Sequence, residues 1–437
     1  MSVDGAASGG KGSLGRVVLT AVLATSIEWY DFFLYGTAAA LVFPTVFFSG
    51  SLPPSVAQLA SFGTFAVGFI ARPVGAVVFG HIGDWKGRKS ALVMALMMMA
   101  GATTLIGCLP SYAIAGPLAP ALLIVLRFLQ GLAIGGQWGG AMLLITENAP
   151  PGRRGFYGSF AQAGVPIGLV LANLAFLFIN HALDPHAFLS WGWRLPFLFS
   201  VVLIGLALFV HVRLEDSATY RRQATTGRSA SPILDALKRY PSRIALAAGA
   251  FVATNTTFYI LVTFVIAYGS GAGGLQIPRA VMLAGVLIAA GVMLVGLLAS
   301  GAWSDRYGRR GIYRFGCIAT GAWVFAMFPL IETRSPLLIA LALAVGNGTT
   351  SMMYGPQAAL FAELFATNVR YSAASLGYQL GAIVGGGLAP IVATALLARY
   401  HSSVAISVYL ATVCAISFTS VSMMHETRYQ DLDRVTG

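Results

Sequence analysis

Four ionisable side chains lie within otherwise apolar sequence: Glu28 and Asp31, three residues apart, then Arg72 and Arg127. Two carboxylates and two guanidiniums away from water suit one kind of chemistry. A carboxylate facing an arginine in a low dielectric is held in its charged form, and parting the two favours proton uptake. Such a pair turns a change in helix contacts into the binding or release of a proton. Metal chemistry is not expected, because Cys108, Cys317 and Cys414 stand isolated in apolar runs without ligand spacing or a pairing pattern. No nucleophile–base pair is visible either, so an enzyme is not expected.

The elements that must hold these groups follow from composition. Of 437 residues, 57% are hydrophobic and 10% charged, against about 45–50% and about 25% in an ordinary soluble domain. Such a chain cannot cover a water-facing surface, which leaves an all-α membrane protein. Apolar runs of spanning length fall near 17–48, 55–80, 90–113, 119–146, 156–182, 192–213, 244–270, 280–301, 314–333, 336–362, 372–398 and 401–424, each near the ~20 residues a span needs. The sequence therefore predicts twelve transmembrane helices and a multi-pass protein of the inner (plasma) membrane. Asp31 lies roughly 21 Å along helix 1 and Arg127 about 12 Å along helix 4 from the opposite face, at about 1.5 Å per residue. In a core about 30 Å thick those depths are similar, so an Asp31–Arg127 ion pair is expected. Glu28, one turn away, lies at a depth Arg72 can reach.

The formal charge of +12 could suggest nucleic acid, but its distribution does not. The N-terminal segment, the loops after spans 2, 4, 6, 8 and 10, and the tail hold 21 of the 27 Lys and Arg. Basic loops stay on the cytoplasmic side, so both termini are expected there and nucleic acid is not a partner. The expected organisation is a cytoplasmic segment at 1–16, a six-helix bundle at 17–213, a linker at 214–243, a second six-helix bundle at 244–424 and a cytoplasmic tail at 425–437.

Internal repetition supports two halves. Gly80-His-Ile-Gly-Asp84-Trp-Lys-Gly87-Arg88-Lys89 recurs as Gly301-Ala-Trp-Ser-Asp305-Arg-Tyr-Gly308-Arg309-Arg310, 221 residues on. Glu147 with Arg154 recurs as Glu363 with Arg370, 216 residues on. Two motifs repeating in order at nearly one offset point to a transporter built from two related bundles. Two apparent phosphate sites fail. Gly5–Gly12 lacks the hydroxyl residue and the preceding strand of a phosphate loop, and Gly135–Gly140 lies in an apolar helix. No cofactor is expected.

These loop motifs match the signature of the major facilitator superfamily. More narrowly, the chain resembles the metabolite:proton symporter family, whose members include shikimate, dicarboxylate and proline/betaine symporters. The residues carrying the resemblance are Glu28-Trp-Tyr-Asp31-Phe, Arg72-Pro-Val-Gly75, Arg127-Phe-Leu-Gln-Gly131, Gly135-Gly-Gln-Trp-Gly-Gly140, Glu147-Asn-Ala-Pro-Pro-Gly-Arg-Arg-Gly155, Trp191-Gly-Trp-Arg-Leu-Pro196 and Glu363-Leu-Phe…Arg370-Tyr. One position departs: family members usually carry Glu where this chain has Gln137, which cannot titrate. The resemblance implies proton coupling through Asp31, Glu28 and Arg127. It also implies latching of one conformation by Gly80, Asp84, Gly87, Arg88, Glu147, Arg154, Asp305, Arg309, Glu363 and Arg370.

Candidate substrate contacts are Arg72, Arg127, Tyr30, Gln137, Trp138, Asn255, Tyr259, Tyr354, Gln357, Tyr378 and Gln379. The centres of spans 3, 6, 9 and 12 carry no charge, so helices 1, 4, 7 and 10 are expected to line a cavity. The glycines Gly131, Gly135, Gly139 and Gly377, Gly381, Gly385 follow a small-xxx-small rule and read as helix packing. The resulting expectation is a monomeric, proton-coupled symporter in the lipid bilayer. Its substrate is a small organic acid, a ring-bearing monocarboxylate such as shikimate or an aromatic acid, because Arg127 is taken up by Asp31. The alternatives are a uniporter or exchanger of a zwitterionic or polar metabolite with coupling weakened by Gln137, a channel, or a membrane enzyme.

Overall fold

The computed structural model describes residues 8–86, 88–135, 142–143, 145–147, 149–150, 152–202, 205, 237–271, 274–366 and 369–428. Helices are labelled in chain order. They are α1 (Ser8–Leu41), α2 (Pro54–Lys86), α3 (Arg88–Cys108), α4 (Leu118–Ile134), α5 (Arg154–Ala182) and α6 (194–202), then α7 (Pro241–Ser270), α8 (Arg279–Tyr307), α9 (Arg309–Glu332) and α10 (Pro336–Leu364). α11 runs from Arg370–Ala382 through Ile383–Gly387 into Ala389–Tyr400, and α12 is Val404–Met423. No strand occurs among the described residues. Eight of these helices (α2, α5 and α7–α12) are long and apolar enough to cross a membrane, and α3 and α4 hold shorter apolar stretches.

The helices overrun the apolar runs. α8 continues to Tyr307 and α9 begins at Arg309, so the loop motif is two helix ends meeting at Gly308, whose φ of 93° suits a residue without Cβ. Residues 214–236 of the expected linker (214–243), Gly87, Gln137 and Trp138 lie outside the described residues, while 237–239 are helical and α7 begins at Pro241, within the expected linker.

The expected glycine crossings form at the described positions; Gly139 lies outside them. Gly131 and Gly135 on α4 face the α2 backbone at Gly68 and Arg72, while Gly377, Gly381 and Gly385 on α11 face α7. A Cβ at Gly131 would meet the Gly68 carbonyl, with the Ala71 methyl at 2.7 Å. Gly131→Val is therefore expected to destabilise the protein by about 1–3 kcal/mol through overpacking. Gly101→Ala, where no atom lies within 4 Å, serves as the neutral control; thermal unfolding in detergent measures both.

Helices from the two sequence halves meet along three seams: α5 against α8 and α10, α2 against α11, and α1 against α7. Between them lies a compact aromatic layer. Phe32 and Phe33 of α1 and Phe65 and Phe69 of α2 pack on Phe258 and Tyr259 of α7 at centroid distances of 5.2–6.0 Å. Gly386 lets α11 approach this layer, since a Cβ there would sit 2.6 Å from the Phe69 ring and 2.8 Å from Tyr259.

Candidate functional site

Against this layer lies a small pocket lined by Trp29, Val165, Phe251, Thr254, Asn255, Phe258, Tyr259, Met293, Tyr354 and Tyr378. α7 supplies half of them, because residues 251, 254, 255, 258 and 259 recur at helical spacing on one face. Directly after Tyr259 the helix widens into a π turn at Ile260–Phe264, a distortion common at functional sites. The Phe251 ring lies nearly parallel to those of Tyr378 and Tyr354, at 4.2 Å and 6.5 Å.

Four expected contacts line this cavity: Asn255, Tyr259, Tyr354 and Tyr378. Others stand elsewhere. Tyr30 turns towards α6 and donates to the Pro196 carbonyl at 3.2 Å. Gln379 donates to the Gly135 carbonyl at 3.3 Å, joining α11 to α4. Gln357 is fully buried with neither end of its amide hydrogen-bonded and is absent from the lining. Trp29 and Phe251 were not singled out from the sequence, although Trp29 adjoins Glu28 and Phe251 is one helical turn before Asn255.

The two arginines are held by aromatic rings. The Arg72 guanidinium lies 4.6 Å from the Phe32 centroid and 4.4 Å from Phe69, with Trp29 at 5.8 Å. Arg127 lies 4.4 Å from Phe32, 4.1 Å from Tyr35 and 4.9 Å from Phe65. Phe32 thus separates two cations, each buried, each with its Nε and Nη2 lacking a hydrogen-bond partner. Such desolvated N–H groups are costly unless a ligand or water meets them. Arg72 acts electrostatically on Glu28 and on the cavity tyrosines Tyr259, Tyr354 and Tyr378.

The expected Asp31–Arg127 ion pair is not formed. Asp31 is 1% exposed, and neither of its oxygens accepts a hydrogen bond. Its polar neighbours are the hydroxyls of Thr103 on α3 and Ser200 on α6. Arg127 instead donates to Gln130 Oε1 at 3.1 Å. The Phe32 ring, adjacent in sequence to Asp31, takes the place beside Arg127.

At the end of the bundle carrying the basic loops, the second-half motif forms a closed network. Asp305 accepts from the backbone N–H groups of Gly155 and Phe156, each at 2.8 Å. It therefore caps the N-terminus of α5 across the halves, where an anion meets the positive end of the helix dipole. Arg309 pairs with Asp305 at 2.7 Å and with Glu363 at 3.1 Å. Glu147 pairs with Arg370 at 3.1 Å, again across the halves. Asp84 lies near the end of α2 and Arg88 opens α3, and Gly80 and Arg154 also fall on helix.

Two members of this network were missed because they lie in the tail. Glu426 accepts from the N–H groups of Arg309 and Arg310, at 2.9 Å and 3.1 Å, and Thr427 donates to Glu363 at 2.7 Å. At the opposite end, Arg279 on α8 lies 5.1 Å over the Phe188 ring, and Gly36 on α1 faces Thr263 on α7. Contacts between the halves thus occur at both ends of the bundle. Among the described residues no group of His, Cys, Asp and Glu is arranged to hold a metal.

Comparison with known proteins accords with this architecture. The model of the Major Facilitator Superfamily matches residues 21–390. The chain is 41% identical over 431 residues to the inner membrane metabolite transport protein YhjE of Escherichia coli, covering 96% of each. It is 37% identical to the Escherichia coli shikimate transporter, covering 94% of this chain and 95% of that one. In fold it matches the xylose transporter XylE of E. coli in a partially occluded inward-open conformation, with a TM-score of 0.73, 15% identity, and coverage of 97% and 100%. The chain belongs to the Major Facilitator Superfamily and is a multi-pass membrane transporter of metabolites, not an enzyme.

Proposed function

We propose that this protein is a proton-coupled symporter that moves a small organic acid, a ring-bearing monocarboxylate, across the inner membrane by alternating access. The observation that carries the reading is the cavity's charge. Its walls are aromatic, apolar or neutral; Arg72, just outside the lining, acts on all three of its tyrosines, and Arg127 only on Tyr259. One guanidinium fits one carboxylate, while Trp29, Phe251 and Tyr378 offer faces to a ring. Arg127 lies behind Phe32 and Phe65 and is assigned to coupling rather than to a second carboxylate. A shikimate transporter and proline/betaine transporters among the relatives agree with a small charged metabolite.

In this reading twelve spans form two bundles, 17–213 and 244–424, and the basic loops and both termini are cytoplasmic. The protein works as a monomer. Asp305, Arg309, Glu363, Glu147 and Arg370, with the equivalent residues of the first half, hold the cytoplasmic end closed, and breaking them opens it. Asp31 and Glu28 carry the proton. A second reading, an exchanger on the same fold, is favoured by the neutral Gln137 in place of the family's usual Glu.

A thermal-shift panel on the purified protein tests the substrate class. Shikimate and benzoate are expected to stabilise it, whereas citrate, betaine and xylose are not. In Arg72→Gln the response to the acids is expected to disappear. Stabilisation by xylose or citrate alone contradicts the assignment.

A further inference from the structure

Between Asp31 and Arg127 lies a row of buried polar side chains contributed by three helices, hydrogen-bonded from Arg127 as far as Thr103. Arg127 Nη1 donates to Gln130 Oε1 at 3.1 Å, and Gln130 Nε2 donates to Thr103 Oγ1 at 2.7 Å. The Thr103 hydroxyl neighbours Asp31. All four residues are at most 1% exposed, so the row is shielded from bulk water. We propose that Gln130 and Thr103 are positioning residues through which Asp31 and Arg127 sense each other's charge in place of a direct ion pair. This inference rests on the coupling role given to Asp31 above.

The chemistry lies in the Thr103 hydroxyl. It donates to the Met99 carbonyl at 2.8 Å, an oxygen within the helix that does not need a second donor. Its oxygen has two acceptor sites, one of them occupied by Gln130. When Asp31 is protonated, the carboxylic acid can donate into the remaining site while the hydroxyl stays on Met99. When Asp31 is ionised, the hydroxyl can turn and donate to the carboxylate, still accepting from Gln130. The amide then has a charge at each end of its chain, the carboxylate through Thr103 and the guanidinium directly, which strengthens both hydrogen bonds. Proton loss therefore draws α3 and α4 towards α1, and proton uptake relaxes them.

Among the described residues, no other charge replaces this route. From α1 itself, Glu28 and Tyr30 act on or respond to Asp31. From α2, Arg72 acts on Glu28. From α6, Ser200 brings a neutral hydroxyl, while Arg194 is engaged by the Gly107 and Leu109 carbonyls at the far end of α3. α4 brings Arg127, and it brings it through Gln130.

The test needs no substrate. The purified full-length protein is titrated with pH and followed by infrared difference spectroscopy, and the carboxylic-acid band missing from Asp31→Asn is assigned to Asp31. In Thr103→Val and in Gln130→Leu the midpoint of that band is expected to move to higher pH by about one unit, because the ionised form loses its donor. In Thr103→Ser, which keeps the hydroxyl, the wild-type midpoint is expected to return; a packing role would leave serine as defective as valine. An unmoved midpoint in both Thr103→Val and Gln130→Leu overturns the bridge while leaving Asp31 as the proton carrier. If no band is lost in Asp31→Asn, the coupling reading itself falls.

Discussion

Asp31→Asn is expected to abolish accumulation driven by a pH gradient while substrate exchange across the membrane persists. The carboxyl sits at 1% exposure among α1, α3 and α6 with no hydrogen bond to either oxygen. A permanently neutral amide of the same shape fits that place without a buried charge. It can no longer exchange a proton as the helices move, so uphill transport loses its driving force. At one proton per substrate, a one-unit pH gradient is worth about 1.4 kcal/mol and supports about tenfold accumulation; the variant is expected to reach an internal concentration equal to the external one. Proteoliposome uptake with and without an imposed gradient measures this. Full accumulation by Asp31→Asn rules out Asp31 as the carrier.

The second large effect concerns stability. Arg309 is 1% exposed and serves two carboxylates: Glu363, fully buried, and Asp305, mostly so. Replacing it by methionine removes the cation and leaves both acids behind in a site closed to water. Breaking a buried pair from one side costs about 3–5 kcal/mol, mostly the burden of the charge left unpaired. Arg309→Met is therefore expected to lower the unfolding midpoint strongly, and Arg309→Met with Glu363→Gln to recover a substantial part. Arg309→Lys keeps the charge but loses the fork that reaches Asp305, Glu363 and Ser304 together, and is expected to fall between. Thermal unfolding in detergent ranks the three. Equal midpoints for wild type and Arg309→Met contradict the role given to this cluster.

Much of this architecture is legible in the sequence, because the properties that fix it are coarse. A 10% charge content, basic loops at alternate turns, and two motifs repeated in order suffice for paired helical halves. The site is less legible, and the Asp31–Arg127 pair shows why. Counting residues from helix ends fixes depth along the membrane normal but not rotation about the helix axis. Rotation depends on which side chain fills the gap, and Phe32, adjacent to Asp31, takes the place beside Arg127. Gln130 stands in the same short motif as Arg127, yet only the position of Thr103, on a helix some twenty-five residues earlier, gives it a task. The α7 face was half visible: Asn255 and Tyr259 stood out as polar, whereas Phe251 and Phe258 on the same stripe read as ordinary core. Glu426 and Thr427 passed as tail because nothing in a polar terminus marks one acid as the cap of a helix more than a hundred residues earlier.

The most direct measurement of proton coupling is made in proteoliposomes that enclose a pH-sensitive dye, with no initial gradient and with shikimate added outside. Symport predicts that the lumen acidifies as the acid enters, that Asp31→Asn abolishes the acidification, and that citrate produces none. Entry of shikimate with the lumen pH unchanged would contradict proton coupling and leave a uniporter in its place, and no entry without shikimate inside would leave an exchanger.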